Sequence, residues 1–163
     1  MSIQESPQTA LPEGWERTVA RSEITEVLQH YAHLAVEEAD FAAMARLFTD
    51  DGVFVLLDGT AVPRNEIEQI VAGNEAAWIR HHLTTVHIEF TSATTATADS
   101  YYIAFTHLAQ PDHWGRWHDT LRHEDGRWKL ASKQPVVEGH HPEGWIATVL
   151  FPAMRAAGLS TGD

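Results

Sequence analysis

Two adjacent imidazoles are the first sign of chemistry in this chain. In Arg80-His81-His82-Leu83-Thr84-Thr85-Val86-His87-Ile88-Glu89-Phe90, His82, Thr84, Val86, Ile88 and Phe90 alternate along one side, the pattern of a strand with a histidine pair at its start. An imidazole presented to a cavity can take or give a proton near neutral pH. A carboxylate bonded to one ring nitrogen would fix its tautomer and leave the other nitrogen free to remove a proton beside a carbonyl or a leaving group. Strict alternation puts His82 in phase with Val86, Ile88 and Phe90. A bulge, or a junction at Arg80, would turn His81 inward instead.

The elements that must position these groups follow from the hydrophobic pattern. Ile24, Val27, Leu28, Tyr31, Leu34 and Ala35 recur at helical spacing, predicting a helix from Ser22 to about residue 39. Asp40 is the N-cap candidate for a short second helix over 41–48. Val53 to Leu57 reads as a strand, and Pro63 with Asn65 as the opening of a third helix reaching about Ala77. Residues 95–109 form a long strand on which Tyr101, Ile103, Phe105 and His107 share a face. Trp114–Glu124 and Arg127–Val137 are the last two strands, joined at Asp125-Gly126, the strongest hairpin signal in the chain. His113, His140 and His141 read as loop histidines. Trp145 to about Ala157 has helical spacing interrupted by Pro152. Helices beside a meander of strands make an α+β fold, with a strongly bent antiparallel sheet wrapped over the N-terminal helices and enclosing a conical pocket.

Composition limits what that pocket can serve. The chain has 163 residues and is 44% hydrophobic, enough for one domain with a real core. It divides into a loose tail over 1–14, a main domain over 15–138 and a C-terminal segment over 139–163. The absence of cysteine excludes disulfides, thiolate metal sites and a cysteine nucleophile. A formal charge of -12 argues against nucleic acid and anionic membranes as partners. No run approaches a membrane span, and the first residues have neither a basic nor an apolar leader region, so a cytoplasmic protein is expected. Phosphate loops, nucleophile elbows and dinucleotide fingerprints are all missing. The stripe Glu26, His30, His33, Glu37 has helical spacing, but one helix supplies too few converging ligands, so no metal site and no cofactor are expected.

Ile24, Tyr31, Asp40-Phe41, Leu47-Phe48-Thr49-Asp50-Asp51, Arg80-His81, Gly115-Arg116-Trp117-His118-Asp119 and Asp125-Gly126-Arg127-Trp128-Lys129-Leu130 together resemble the SnoaL-like group of the nuclear transport factor 2-like superfamily. The resemblance spans roughly residues 20–138 and implies the cone-shaped, cystatin-like roll of that superfamily. Its members include scytalone dehydratase, lindane dehydrochlorinase, ketosteroid isomerase and polyketide cyclases, so it specifies a fold more than a reaction. It implies a catalytic carboxylate at Glu37, a catalytic histidine at His81 and a second pocket histidine at His107. Asp119 is a secondary acid by the same likeness, or a partner of Arg116 or Arg122. Glu37 replaces the shorter aspartate of the family, and in a straight helix it would point away from Tyr31 into solvent unless a π-bulge turned it inward. Gly115 and Trp117 also depart from the dehydratase, so its substrate is not implied.

Tyr31, Phe54, Trp78, His82, Phe105, Trp117 and Phe151 are the expected substrate-binding side chains, with ordinary core packing as the competing reading. The segment after Val137 resembles a lid that would exclude water from an elimination. The expected function is a cofactor-independent acid–base enzyme acting on a hydrophobic, polycyclic or polyketide-like molecule. A dehydratase or lyase comes first, with isomerase or cyclase as the alternative. A non-catalytic role, such as the small subunit of a ring-hydroxylating dioxygenase, is the alternative of another class. By resemblance, the protein is expected to be a homodimer.

Overall fold

A computed structural model of the chain describes residues 11–35, 39–71 and 74–161. Helix α1 (Gly14–Leu34) buries Ala20, Ile24, Leu28, Tyr31 and Ala32, one stripe at steps of three and four. It starts eight residues before Ser22, although Trp15 in its first turn is largely exposed. Residues 36–38 lie outside the described residues, and Glu37 with them. Helix α2 (Phe41–Arg46) begins at Asp40 as expected, the Ala43 amide donating to Asp40 Oδ1 at 2.7 Å.

Six strands follow: β1 (Phe48–Val55), β2 (Ala61–Pro63), β3 (Ile79–Phe90), β4 (Thr95–Thr106), β5 (His113–Glu124) and β6 (Arg127–His140). They form one curved, unclosed sheet in the order β2-β1-β6-β5-β4-β3. The sheet is mixed rather than wholly antiparallel, because β1 runs parallel to β6, Phe48 pairing with Leu130. That pairing also explains why β1 starts at Phe48, earlier than Val53. At the β5–β6 turn Asp125 and Gly126 both have positive φ (53° and 76°), the geometry that the sequence signal anticipates. Among the described residues between β2 and β3 there is no long third helix. A short 3₁₀ segment, Arg64–Ile70, kinks at Glu66 (φ -124°, ψ 19°) and buries only Ile67, too little apolar surface to hold a full helix.

Three bulges on β3 and β6 decide which of their side chains face inward. On β3, Leu83 pairs with Tyr102 and Val86 with Ser100, so Thr84 and Thr85 together oppose Tyr101. The inward series Phe90, Ile88, Val86 therefore continues as Leu83, His81 and Ile79, and His82 turns outward. On β6, Leu130 pairs with Leu121 and Ser132 with Thr120, so Ala131 is an extra residue. The inward series Trp128, Leu130 continues as Lys133, Pro135 and Val137. The third bulge, at Glu138, sits opposite the Trp114–Gly115 step.

The main core packs α1 and α2 against the inner face of the sheet. A second cluster, built on Trp145, Ile146, Phe151 and Met154, belongs to the C-terminal segment. That segment comprises a π-helical turn (Ile146–Leu150) running into α3 (Phe151–Ala156), with Pro152 in the first turn of α3, where its missing N–H is harmless. No helix among the described residues is long and apolar enough to cross a membrane.

Candidate active site

Between the inner sheet face, the helices and the C-terminal segment lies a cavity of about 340 Å³. Phe41, Met44, Phe54, Leu56, Ile70 and Val137 give it an apolar wall, and Trp145, Ile146, Leu150 and Met154 close one side. Its polar groups are few: His81, His113, Lys133, the two tyrosines Tyr31 and Tyr102, and Gln69, Asn74 and Glu75 from the segment before β3. A mostly apolar cavity with a handful of convergent polar groups is the usual form of a small-molecule site.

His113 is the best-organised of these groups. It is the first residue of β5, 5% exposed, and its Nδ1 lies 2.8 Å from Asp112 Oδ1. An ionised carboxylate only accepts, so Nδ1 carries the proton and Nε2 is left as the basic nitrogen. Asp112 is fully buried and takes further hydrogen bonds from Thr106 Oγ1 at 2.7 Å and from the Trp145 and Ile146 amides. Burial alone would raise its pKa, but the hydrogen bonds from His113, Thr106, Trp145 and Ile146 outweigh burial and hold it at about 2. One carboxylate thus orients His113 and ties down the start of the C-terminal segment. Gly144 permits this, since a Cβ there would lie 2.8 Å from Asp112 Oδ2.

His81 lies beside His113 on the inner sheet face, the two flanking Ala104 across β4, with ring centroids 6.2 Å apart, Trp117 at 5.4 Å and Tyr102 at 5.9 Å. Its Nδ1 is buried without a hydrogen-bond partner. Burial, then the neighbouring His113, Lys133 and His82, lowers its pKa to about 3, so the ring is neutral at physiological pH. A neutral ring with an unpartnered nitrogen can accept from a bound molecule, or donate to it in the other tautomer.

Below these rings, Lys133 and Asp119 form a buried pair, Nζ lying 3.3 and 3.2 Å from the two carboxylate oxygens. The same ammonium sits 3.4 Å from the Trp117 ring centroid and 4.6 Å from that of Tyr31. Burial lowers the Lys133 pKa to about 8 against the opposing pull of Asp119, and burial raises that of Asp119 despite Lys133. Burial pushes both tyrosine hydroxyls well above the usual phenol range, reinforced by Asp119 at Tyr31 and by Glu138 at Tyr102. Both remain neutral donors.

Of the residues expected from sequence, His81, Tyr31, Phe54 and Trp117 line the cavity. Asp119 is buried, but its partner is Lys133 rather than Arg116 or Arg122. His107 is exposed: β4 ends at Thr106, whose hydroxyl takes the inward position and accepts from the Leu108 and Ala109 amides. His82 and Phe105 pack on each other at 5.1 Å on the outer face, where the β3 bulge sends His82. Trp78 stands before β3 beneath the Arg80 guanidinium, and Phe151 is buried in the C-terminal cluster against His140. None of these five lines the cavity. His113 is no loop residue, and the in-phase run His113, Gly115, Trp117, Asp119, Leu121 was the sequence signal for it. Lys133 had no such signal, because alternation from Trp128 sends it outward until Ala131 is counted as a bulge. Among the described residues, no three metal-ligating side chains converge.

A family profile for SnoaL-like domains matches residues 16–134. The chain belongs to the SnoaL-like family. Several solved structures share its nuclear transport factor 2-like fold at low identity. A scytalone dehydratase-like protein of Novosphingobium aromaticivorans is 21% identical, with 77% of this chain and 91% of that one covered and a TM-score of 0.62. The hexachlorocyclohexane dehydrochlorinase LinA-type3 of Novosphingobium barchaimii is 13% identical over 77% and 91%, with a TM-score of 0.68. A cystatin-like protein of unknown function from Nostoc punctiforme is 19% identical over 82% and 98%, with a TM-score of 0.68. No curated protein matches this SnoaL-like chain by sequence. At these identities the solved structures speak to the fold, on which reactions vary.

Proposed function

We propose that this SnoaL-like protein is a general acid–base enzyme that needs no cofactor and acts on a hydrophobic ring-bearing molecule, most simply as a dehydratase or other lyase. The observation that carries this reading is the His113–Asp112 hydrogen bond at the wall of an apolar cavity, beside the neutral His81 with its unpartnered Nδ1. His113 Nε2 takes a proton from a carbon next to a carbonyl or a leaving group, and Asp112 stabilises the imidazolium that forms. His81, as a neutral donor, stabilises the oxygen that gains charge or departs. If the leaving group goes, the result is an elimination; if His113 returns the proton to another carbon, it is an isomerisation. Glu37, expected as the carboxylate partner of His81, lies outside the described residues, and the orienting role goes to Asp112 in this reading.

The C-terminal segment acts as the lid, a reading supported by Trp145, Ile146, Leu150 and Met154 lining the cavity. The partly exposed Tyr101, Ile103 and Trp114 on the outer face of β4 and β5 support association into a homodimer through that face. The test is a turnover screen of apolar ring ketones, ring alcohols and halides, repeated with His113→Gln. A loss of about 10²–10⁴ in rate is expected for the variant. Obligate co-purification with an iron-containing chain and no turnover in any class would support the dioxygenase-subunit alternative instead.

A further inference from the structure

Of the eleven Lys and Arg residues only two are lysines; each pairs with an aspartate, one at the surface and one in the interior. Lys129 sits at the β5–β6 hairpin, paired with the exposed Asp125. Lys133 is 1% exposed, lines the apolar cavity and is turned there, with Pro135 and Val137, by the Ala131 bulge. A buried pair that required only a fixed charge would be better served by arginine, whose planar fork grips both carboxylate oxygens and never loses its proton. Nine other positions of this chain use arginine. The feature that lysine adds at position 133 is an amine that can be deprotonated.

We infer that Lys133 is a nucleophilic amine that captures an apolar aldehyde or ketone in the cavity as an imine, with Asp119 as its proton partner. Asp119 lies within 3.3 Å of Nζ through both oxygens, the reach needed to accept a proton from the ammonium. Burial favours that transfer from both sides, because it lowers Lys133 and raises Asp119. The freed nitrogen lone pair bonds to the carbonyl carbon, and a nitrogen-bound proton passes to the carbonyl oxygen, giving a carbinolamine. Asp119 then protonates that hydroxyl, the C–O bond breaks, and water leaves as the nitrogen lone pair closes the C=N bond. The net change is ammonium plus carbonyl to protonated imine plus water, with Asp119 a carboxylate again and no oxidant or reductant involved. Tyr31 and Trp117, whose ring faces now hold the ammonium, would hold the iminium cation in the same way. An iminium acidifies the neighbouring C–H bonds, so this step deepens the acid–base reading of the cavity and rests on it for its consequence.

Imine formation can be trapped without knowing the natural substrate. The full-length protein is treated with benzaldehyde and sodium cyanoborohydride near neutral pH, and the benzylated residues are found by peptide mapping. Lys133 should be labelled roughly tenfold or more faster than Lys129, because burial lowers its pKa to about 8 and the apolar cavity it lines holds the aldehyde beside it. Excess naphthalene, competing for the cavity, should suppress the label at Lys133 and leave that at Lys129. Lys129→Arg should keep the fast labelling, and the wild-type map decides the matter even if Lys133→Met does not fold. Labelling confined to Lys129 and the N-terminal amine, or equal rates at the two lysines, would overturn the inference. Trapping reads bond formation rather than turnover, so its failure leaves His113 as the base; unchanged turnover in His113→Gln would sink that role without touching the trapping result.

Discussion

Protonating His81 inside the fold is costly, and the cost has a direction in pH. An ordinary imidazole titrates at 6.5 and the buried ring at about 3, so between these values the unfolded chain binds a proton that the native state refuses. Stability therefore rises with pH through that window and falls on acidification below about pH 6.5, by at most about 1.4 kcal/mol per pH unit from this residue. Urea midpoints measured from about pH 4 to 7 should show that slope, and His81→Gln should flatten it. Asp112 makes the complementary prediction. Replacing it by Asn removes the charge and puts an amide donor in place of one accepting oxygen, so the His113 tautomer is no longer fixed and Asp112→Asn should lower turnover by about 10²-fold or more. Imidazole nitrogen NMR should at the same time show His113 as a mixture of tautomers. A variant that kept both the single tautomer and full turnover would remove Asp112 from the site.

At the scale of elements, the bulges separate what was legible in the sequence from what was not. Helical spacing in α1, the Asp40 cap, the Asp125-Gly126 turn and the strand alternation could all be read, because each depends on residues within a turn or two of one another. His81 could be placed inward only through a bulge or a junction at Arg80, and the structure has a bulge, at Thr84–Thr85. Lys133 could not be placed, since its inward turn depends on the register between β5 and β6, a long-range property. His113 was hidden for another reason: Gln110-Pro111-Asp112 reads as a break, whereas the strand resumes at the very next residue. The C-terminal segment hangs on Asp112, and Gly144→Ala tests that attachment. Its Cβ would meet a carboxylate that four donors hold in place, so something must shift. A loss of about 1–3 kcal/mol is expected, together with increased dye binding as the segment loosens. If stability and dye binding are both unchanged, the segment is not anchored through Asp112.

For the molecule as a whole, curvature and charge set the terms of function. The open sheet leaves an apolar cavity on its inner side and exposed Tyr101, Ile103 and Trp114 on its outer side. If that outer face joins two copies, Tyr101→Glu with Trp114→Glu should convert a dimer to a monomer in sedimentation, with the far-ultraviolet circular dichroism retained; a wild-type monomer would contradict it. The inner space bears the central claim, that His113 moves protons to and from an apolar ligand. Exchange of the α-protons of β-tetralone, an apolar two-ring ketone, in deuterium oxide measures this most directly, because it needs a positioned base and no leaving group. Followed by proton NMR, exchange should be accelerated by the wild-type protein and slowed about 10²–10⁴-fold by His113→Gln. No acceleration by the wild type, or equal acceleration by His113→Gln, would contradict the account.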